Sequence, residues 1–235
     1  MNTSHEKIKK IKLALLDHIY RIYEEDIVSD DTACKRGCAL CCTRNVTLTG
    51  LEALRIAEHI RGKPEYRAAL RSASEKKRFR PVCTFNQIAE ICMRGGDFPE
   101  EEMDPAWTPC PLLKNAECSI YPIRPFGCRC MISMRSCAEN NYAEMSEFTA
   151  TINDVFLQYI EHIDAGGCFG NLTDMLLFLE DEKRAADYPR SIPEELPEAL
   201  IPNHPLKVLM VPPEFRGKIR PVLQKLEKNA PDNAH

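Results

Sequence analysis

Ile8, Ile11, Leu15, Ile19 and Ile22 recur in steps of three and four with charged residues between them, the period of a helix with one apolar face. The pattern predicts an amphipathic helix over residues 5–28 whose stripe is core rather than a membrane anchor. Asp30 and Asp31 follow it, so Cys34 falls just past an element boundary. Thr49-Gly-Leu-Glu52 has the form of a capping box ahead of Leu51, Leu54, Ala57 and Ile60, which predicts a helix over 50–61 ended by Gly62. Pro64 opens a charged, helix-forming stretch from Glu65 to Lys77, and these two helices are expected to pair as a hairpin.

Further along, Phe148, Ile152, Val155, Phe156, Tyr159, Ile160 and Ile163 predict a helix over 145–164, closed by Gly166 and Gly167. Leu172, Met175, Leu176 and Leu179 predict another over 172–186, and residues 214–228 a last one limited by Pro221. Extended pieces are expected only at 45–48 and 206–211. Between 79 and 109 the periodicity fades into glycines, prolines and an acidic run. That reads as a loop-rich insert, with Trp107 as a packing lid. The chain is therefore mainly α: a small helical domain over 1–187 around a loop-rich, cysteine-lined metal centre, with a proline-rich C-terminal extension over 188–235.

The cysteines change this picture. Residues 34–42 read Cys-Lys-Arg-Gly-Cys-Ala-Leu-Cys-Cys, four thiols within one short stretch. On a helix their Cα–Cβ vectors fall at roughly 0°, 40°, −20° and 80°, one shared face; in a loop, Gly37 supplies the freedom to fold them inward. Either way, converging thiolates select zinc, copper(I) or an iron–sulfur centre. A second group follows at Cys110, Cys118, Cys128 and Cys130, in a segment that Pro111, Pro122 and Pro125 keep out of continuous helix. If Cys128-x-Cys130 is extended, both thiols point the same way.

Twelve cysteines also fit a disulfide scaffold, but three features favour reduced thiols. Residues 1–12 are polar, without the apolar region of a secretory signal. The chain is long enough to bury its own core. Adjacent Cys41 and Cys42, about 3.8 Å apart at Cα, are too close for the usual bridge. A cytoplasmic location is expected. No apolar run approaches about eighteen residues, so no membrane span is expected. A net charge of −4 argues against a general nucleic-acid binder, and no protein partner can be read from the chain. None of the six histidines sits at a ligand-like spacing from a cysteine, and no Ser-His-Asp order or phosphate-cradling glycine loop is present.

Cys34-x3-Cys38-x2-Cys41-Cys42, followed by Cys110-Pro-Leu and by Cys118-Ser-Ile-Tyr-x-x-Arg124-Pro125-x-x-Cys128-Arg129, resembles the YkgJ-type cysteine-cluster family, described as zinc- or iron-chelating proteins. The resemblance spans residues 34–130, and flagellin lysine N-methylases share this kind of arrangement. It implies a metal-binding protein holding zinc, iron or an iron–sulfur cluster, with protein-lysine methyl transfer as an activity to test. Cys83, Cys92, Cys130, Cys137 and Cys168 lie outside the matched pattern.

The expected ligands are Cys34, Cys38, Cys41, Cys42, Cys110, Cys118, Cys128 and Cys130, enough for two tetrahedral all-thiolate sites or one cluster with thiols to spare. Arg124, Arg129 and Tyr121 are expected to support them from behind. The alternative is an iron–sulfur enzyme, because Cys34-x3-Cys38-x2-Cys41 is also the spacing of radical S-adenosylmethionine enzymes.

Overall fold

Ten α-helices and five short strands follow one another in a computed structural model that describes residues 2–29, 31–97, 99–101, 108–188 and 196–228, without the side chains of residues 2–5 and 140. The expectations for Asp30, Trp107, Pro189 and Pro193 lie outside the described residues. In chain order the elements are α1 (Asn2–Asp26), β1 (Thr47–Thr49), α2 (Gly50–Ile60), α3 (Pro64–Ser74), α4 (Phe85–Met93), β2 (Leu113–Lys114) and β3 (Glu117–Cys118). There follow α5 (Phe126–Arg129), α6 (Cys137–Asn140), α7 (Glu147–Ile163), β4 (Cys168–Asn171), α8 (Leu172–Phe178), α9 (Glu182–Asp187), β5 (Leu200–Pro202) and α10 (Arg216–Glu227). The mainly α expectation holds. No helix among the described residues is long and apolar enough to cross a membrane.

The capping box is present as read. Thr49 Oγ1 accepts from the Glu52 N–H and Glu52 Oε2 accepts from the Thr49 N–H, satisfying two of the donors a helix start leaves open. Pro64 occupies the first turn of α3. Only the C-terminal half of the α1 stripe is core: Leu16, Ile19, Tyr20, Ile22 and Tyr23 are buried, whereas Ile8 and Ile11 are 43% and 40% exposed. The buried half packs against α2, α7 and α10.

Three expectations are corrected. The insert over 79–109 contains α4, started by a second capping box in which Thr84 accepts from the Gln87 N–H and Gln87 returns the bond. The helix expected over 172–186 is two, because Asp181 takes an N-cap conformation and accepts from the Arg184 N–H to start α9. Residues 206–211 join no strand ladder. The Gln158 side chain instead donates to Val208 O (2.7 Å) and accepts from Met210 N–H (3.0 Å), giving this proline-flanked segment its backbone partners from a helix.

Three strands form one antiparallel sheet in the order β1-β4-β5, with Leu48 opposite Gly170 and Phe169 opposite Ile201. The tail beyond 196 thus supplies a strand, and α10 buries Ile219, Val222 and Leu226 beside α1. Tyr188 fills the space above Gly50 and Gly167, where an added Cβ would lie 2.0 and 2.2 Å from its hydroxyl. That hydroxyl donates to Asp164 Oδ2 at 2.6 Å.

Candidate functional site

The stretch 34–42 is a series of turns, not a helix. Cys38 N–H donates to Lys35 O and Cys42 N–H to Ala39 O, both at 3.0 Å, and Gly37 takes a φ of 91° that side chains resist. The turns end where the chain meets residues 108–110. Arg44 N–H donates to Thr108 O and Cys110 N–H to Cys42 O, both at 2.9 Å, around an antiparallel bridge between Thr43 and Pro109. The bond from Cys110 N–H brings Cys42 beside Cys110, and the ladder stops there, because Cys42 N–H turns back to Ala39 O and Thr43 N–H to Cys41 O. In a regular antiparallel ladder, residues that exchange backbone bonds lie about 5.5 Å apart at Cα; Cys42 and Cys110 share one such bond.

A tight hairpin of β2 and β3 continues the second segment, pairing Leu113 with Cys118. Its two turn residues, Asn115 and Ala116, take φ of 51° and 61°, the backbone sense that closes a two-residue hairpin. Beyond it, α5 is tied to the core by a carboxylate. Glu52 Oε1 accepts from the Phe126 N–H (2.7 Å) and from the Tyr20 hydroxyl (2.6 Å). Phe126 stacks on Phe156 at 5.5 Å and meets Tyr23 edge-on at 4.7 Å. The residue that caps α2 therefore also fixes the helix carrying Cys128.

Cys128 and Cys130 do not point the same way. Residues 126–129 are helical and Cys130 still has helical φ and ψ, so side chains two apart diverge by about 200°. Cys130 turns into the core at 6% exposure, its thiol toward Gly127 O and its carbonyl accepting from Asn153 Nδ2 at 3.0 Å. Cys42, Cys110, Cys118 and Cys128 are half-buried along the ledge, while Cys38 and Cys41 are exposed. Cys34 lies at the far end with its thiol 3.6 Å from Met131 O, and Ala33 N–H bonds Ser133 O. This brings Cys137 close enough for its charge to act on Cys34, a neighbour the sequence reading left unassigned. All twelve cysteines are free thiols.

The thiols are electrostatically unlike one another. The Cys41 S–H donates to Cys42, which raises Cys41 and pulls Cys42 below the ordinary thiol value. Burial pushes Cys110 up to about 11, Cys130 up to about 12 and Cys128 well above the usual range. Cys42, the lowered thiol, thus lies near raised Cys41, Cys110 and Cys128.

The expected metal centre is overturned. Among the described residues no group of three or more His, Cys, Asp or Glu side chains is disposed to hold a metal ion. The two segments touch, but α5 sends Cys130 inward and no three of these side chains converge as ligands, so zinc or iron ligation by Cys34, Cys38, Cys41, Cys42, Cys110, Cys118, Cys128 and Cys130 is not supported. The iron–sulfur enzyme alternative needs such a group and falls with it.

Arg129 spends its donors elsewhere: Nε on Arg124 O (2.9 Å), Nη2 on Pro122 O (2.7 Å) and Nη1 on Glu24. Arg124 stacks over the Tyr121 ring at 4.2 Å. Comparison with family models, curated proteins and solved structures gives no match.

Proposed function

We propose that this chain is a thiol–disulfide redox protein whose reacting pair is Cys42 and Cys110. The observation that carries the reading is the backbone bond from Cys110 N–H to Cys42 O, 2.9 Å, beside the Thr43–Pro109 bridge; residues joined in this way in a ladder lie about 5.5 Å apart at Cα, inside the window of about 4.4–6.8 Å for a disulfide. The pair is asymmetric, as exchange requires. Cys42, lowered by the Cys41 S–H, is the attacking thiolate; Cys110, held protonated by burial, is the resolving thiol.

The chemistry is two-electron exchange with a disulfide-bearing substrate. The Cys42 thiolate attacks one substrate sulfur, forming a mixed disulfide and releasing the other sulfur as a thiolate. Cys110 then loses its proton to solvent and attacks Cys42 Sγ, displacing the second substrate thiolate and leaving a Cys42–Cys110 disulfide. The substrate is reduced by two electrons and the pair oxidised by two, and a small thiol reductant reverses the step. Adjacent Cys41 acts through its hydrogen bond and does not close a bridge with Cys42.

Timed alkylation of the reduced protein with iodoacetamide, read by peptide mass spectrometry at pH 6–7, tests the assignment. Cys42 is expected to be modified ahead of the more exposed Cys38, and Cys41→Ala should slow Cys42 modification at pH 6. Modification that simply follows exposure, Cys38 and Cys92 first and Cys42 no faster in the parent than in Cys41→Ala, would remove the reading's basis.

A further inference from the structure

A trough opens where α1 and α2 meet the turn before α5, floored by the core residue Tyr20 and lined by Arg21, Tyr121 and Arg124 among others. Its volume is about 590 Å³, within the range of about 300–1,000 Å³ usual for small-molecule sites. Four guanidinium groups line it against two carboxylates. Two of the four are neutralised in place: Arg55 pairs with Asp17 and Arg129 with Glu24. No carboxylate of the described residues pairs with Arg21 or Arg124, so the lining carries a surplus of two positive charges.

Arg124 has a further feature. Its plane is held against the Tyr121 ring at 4.2 Å, and its Nε is buried with no hydrogen-bond partner among the described residues. Nε is closed to solvent, so the terminal Nη groups are what this side chain offers a ligand, and stacking has already removed much of the freedom a ligand would otherwise have to freeze. The guanidinium fork matches phosphate and carboxylate oxygens two at a time. Tyr20, with Arg129 over its ring at 4.4 Å, gives the trough a rigid aromatic floor.

We propose that this trough is a binding site for a small anionic molecule presenting a phosphate or paired carboxylates, with Arg124 and Arg21 as the oxyanion contacts and the Arg55–Asp17 and Arg129–Glu24 pairs holding the walls. The site stands on its own residues and does not rest on the thiol reading. The two meet at Arg124, whose charge also acts on Cys41.

Titration of the full chain with inorganic phosphate and, separately, with succinate tests it, followed by heteronuclear NMR of the arginine Nε–H signals. The expected result is saturable binding of at least one anion at millimolar concentration, weakened about tenfold or more by Arg124→Gln and by Arg21→Gln, and weakened by added chloride. The tighter anion assigns the ligand as phosphate or dicarboxylate. Cys42→Ser is expected to bind as the parent does, which separates this site from the thiol pair. Circular dichroism controls for folding, and Arg21→Gln, at an exposed position on α1, supplies a variant with no core contact to lose. Absence of saturable binding by both anions, or equal binding by the parent and a folded Arg124→Gln, would overturn the proposal.

Discussion

The surface ledge and the core below it hold the same residue type under opposite conditions. On the ledge, Cys42 and Cys110 are half open to solvent and joined by a backbone bond beside the Thr43–Pro109 bridge, and the adjacent Cys41 thiol lowers Cys42. In the core, Cys130 and Cys168 are buried among apolar side chains, with Cys168 against Met175 at 3.9 Å, and burial raises both. Burial leaves a thiol inert as a small apolar filler; an adjacent S–H donor and access to water make one reactive. Cysteine count alone, therefore, does not distinguish a reactive centre from packing.

The largest test of this contrast removes the core's support. Phe126→Ala deletes the ring stacked on Phe156 and edge-on to Tyr23 and is expected to cost about 3–5 kcal/mol in urea unfolding. Cys38→Ser, on the exposed ledge, should stay within about 0.5 kcal/mol of the parent. Equal effects would mean that the ledge is as integral to stability as the core.

A comparable test uses pH. Asp164 is fully buried; its Oδ2 accepts from Leu51 N–H, Tyr188 OH and Asn203 Nδ2 while Oδ1 has no partner among the described residues. Burial raises its pKa from 3.8 to about 7, against the opposing charge of Lys12 and in the same direction as Glu52. The unfolded chain releases this proton near 3.8, so ionisation favours unfolding as pH rises. The stability held below about pH 4 is lost progressively up to about pH 7, a change on the order of 4 kcal/mol. Asp164→Asn, which keeps an acceptor for the three donors and cannot ionise, is expected to flatten that slope in chemical denaturation from pH 4 to 8. An unchanged slope would place the carboxyl's proton elsewhere.

Much of this arrangement was legible where chemistry is local. Thr49-Gly-Leu-Glu52 announced α2 because a capping box needs only four residues, and Pro64 announced the start of α3 for the same reason. The Thr84-to-Gln87 signal of α4 was equally local, and Phe85, Ile88, Ala89 and Cys92 keep helical spacing, but the helix is only nine residues long and the glycines, prolines and acidic run that follow it masked the signal. The meeting of 34–42 with 108–110 depends on pairing between residues more than sixty apart, and the second role of Glu52, accepting from Phe126, spans 74 positions. No window on the sequence contains either contact. The ligand-set reading failed at Cys128 and Cys130 because an alternation argument assumes an extended backbone, and the Glu52-anchored turn of α5 overrides it.

The most direct measurement is disulfide mapping of the protein equilibrated in glutathione buffers of graded potential, trapped by acid, digested and sequenced by mass spectrometry. The account predicts one dominant internal bridge joining the peptides of Cys42 and Cys110, forming as a two-electron step and absent in Cys110→Ser. Bridges scattered over the ledge with no preference for this pair, or Cys42 and Cys110 both still alkylatable at the most oxidising potential, would contradict it.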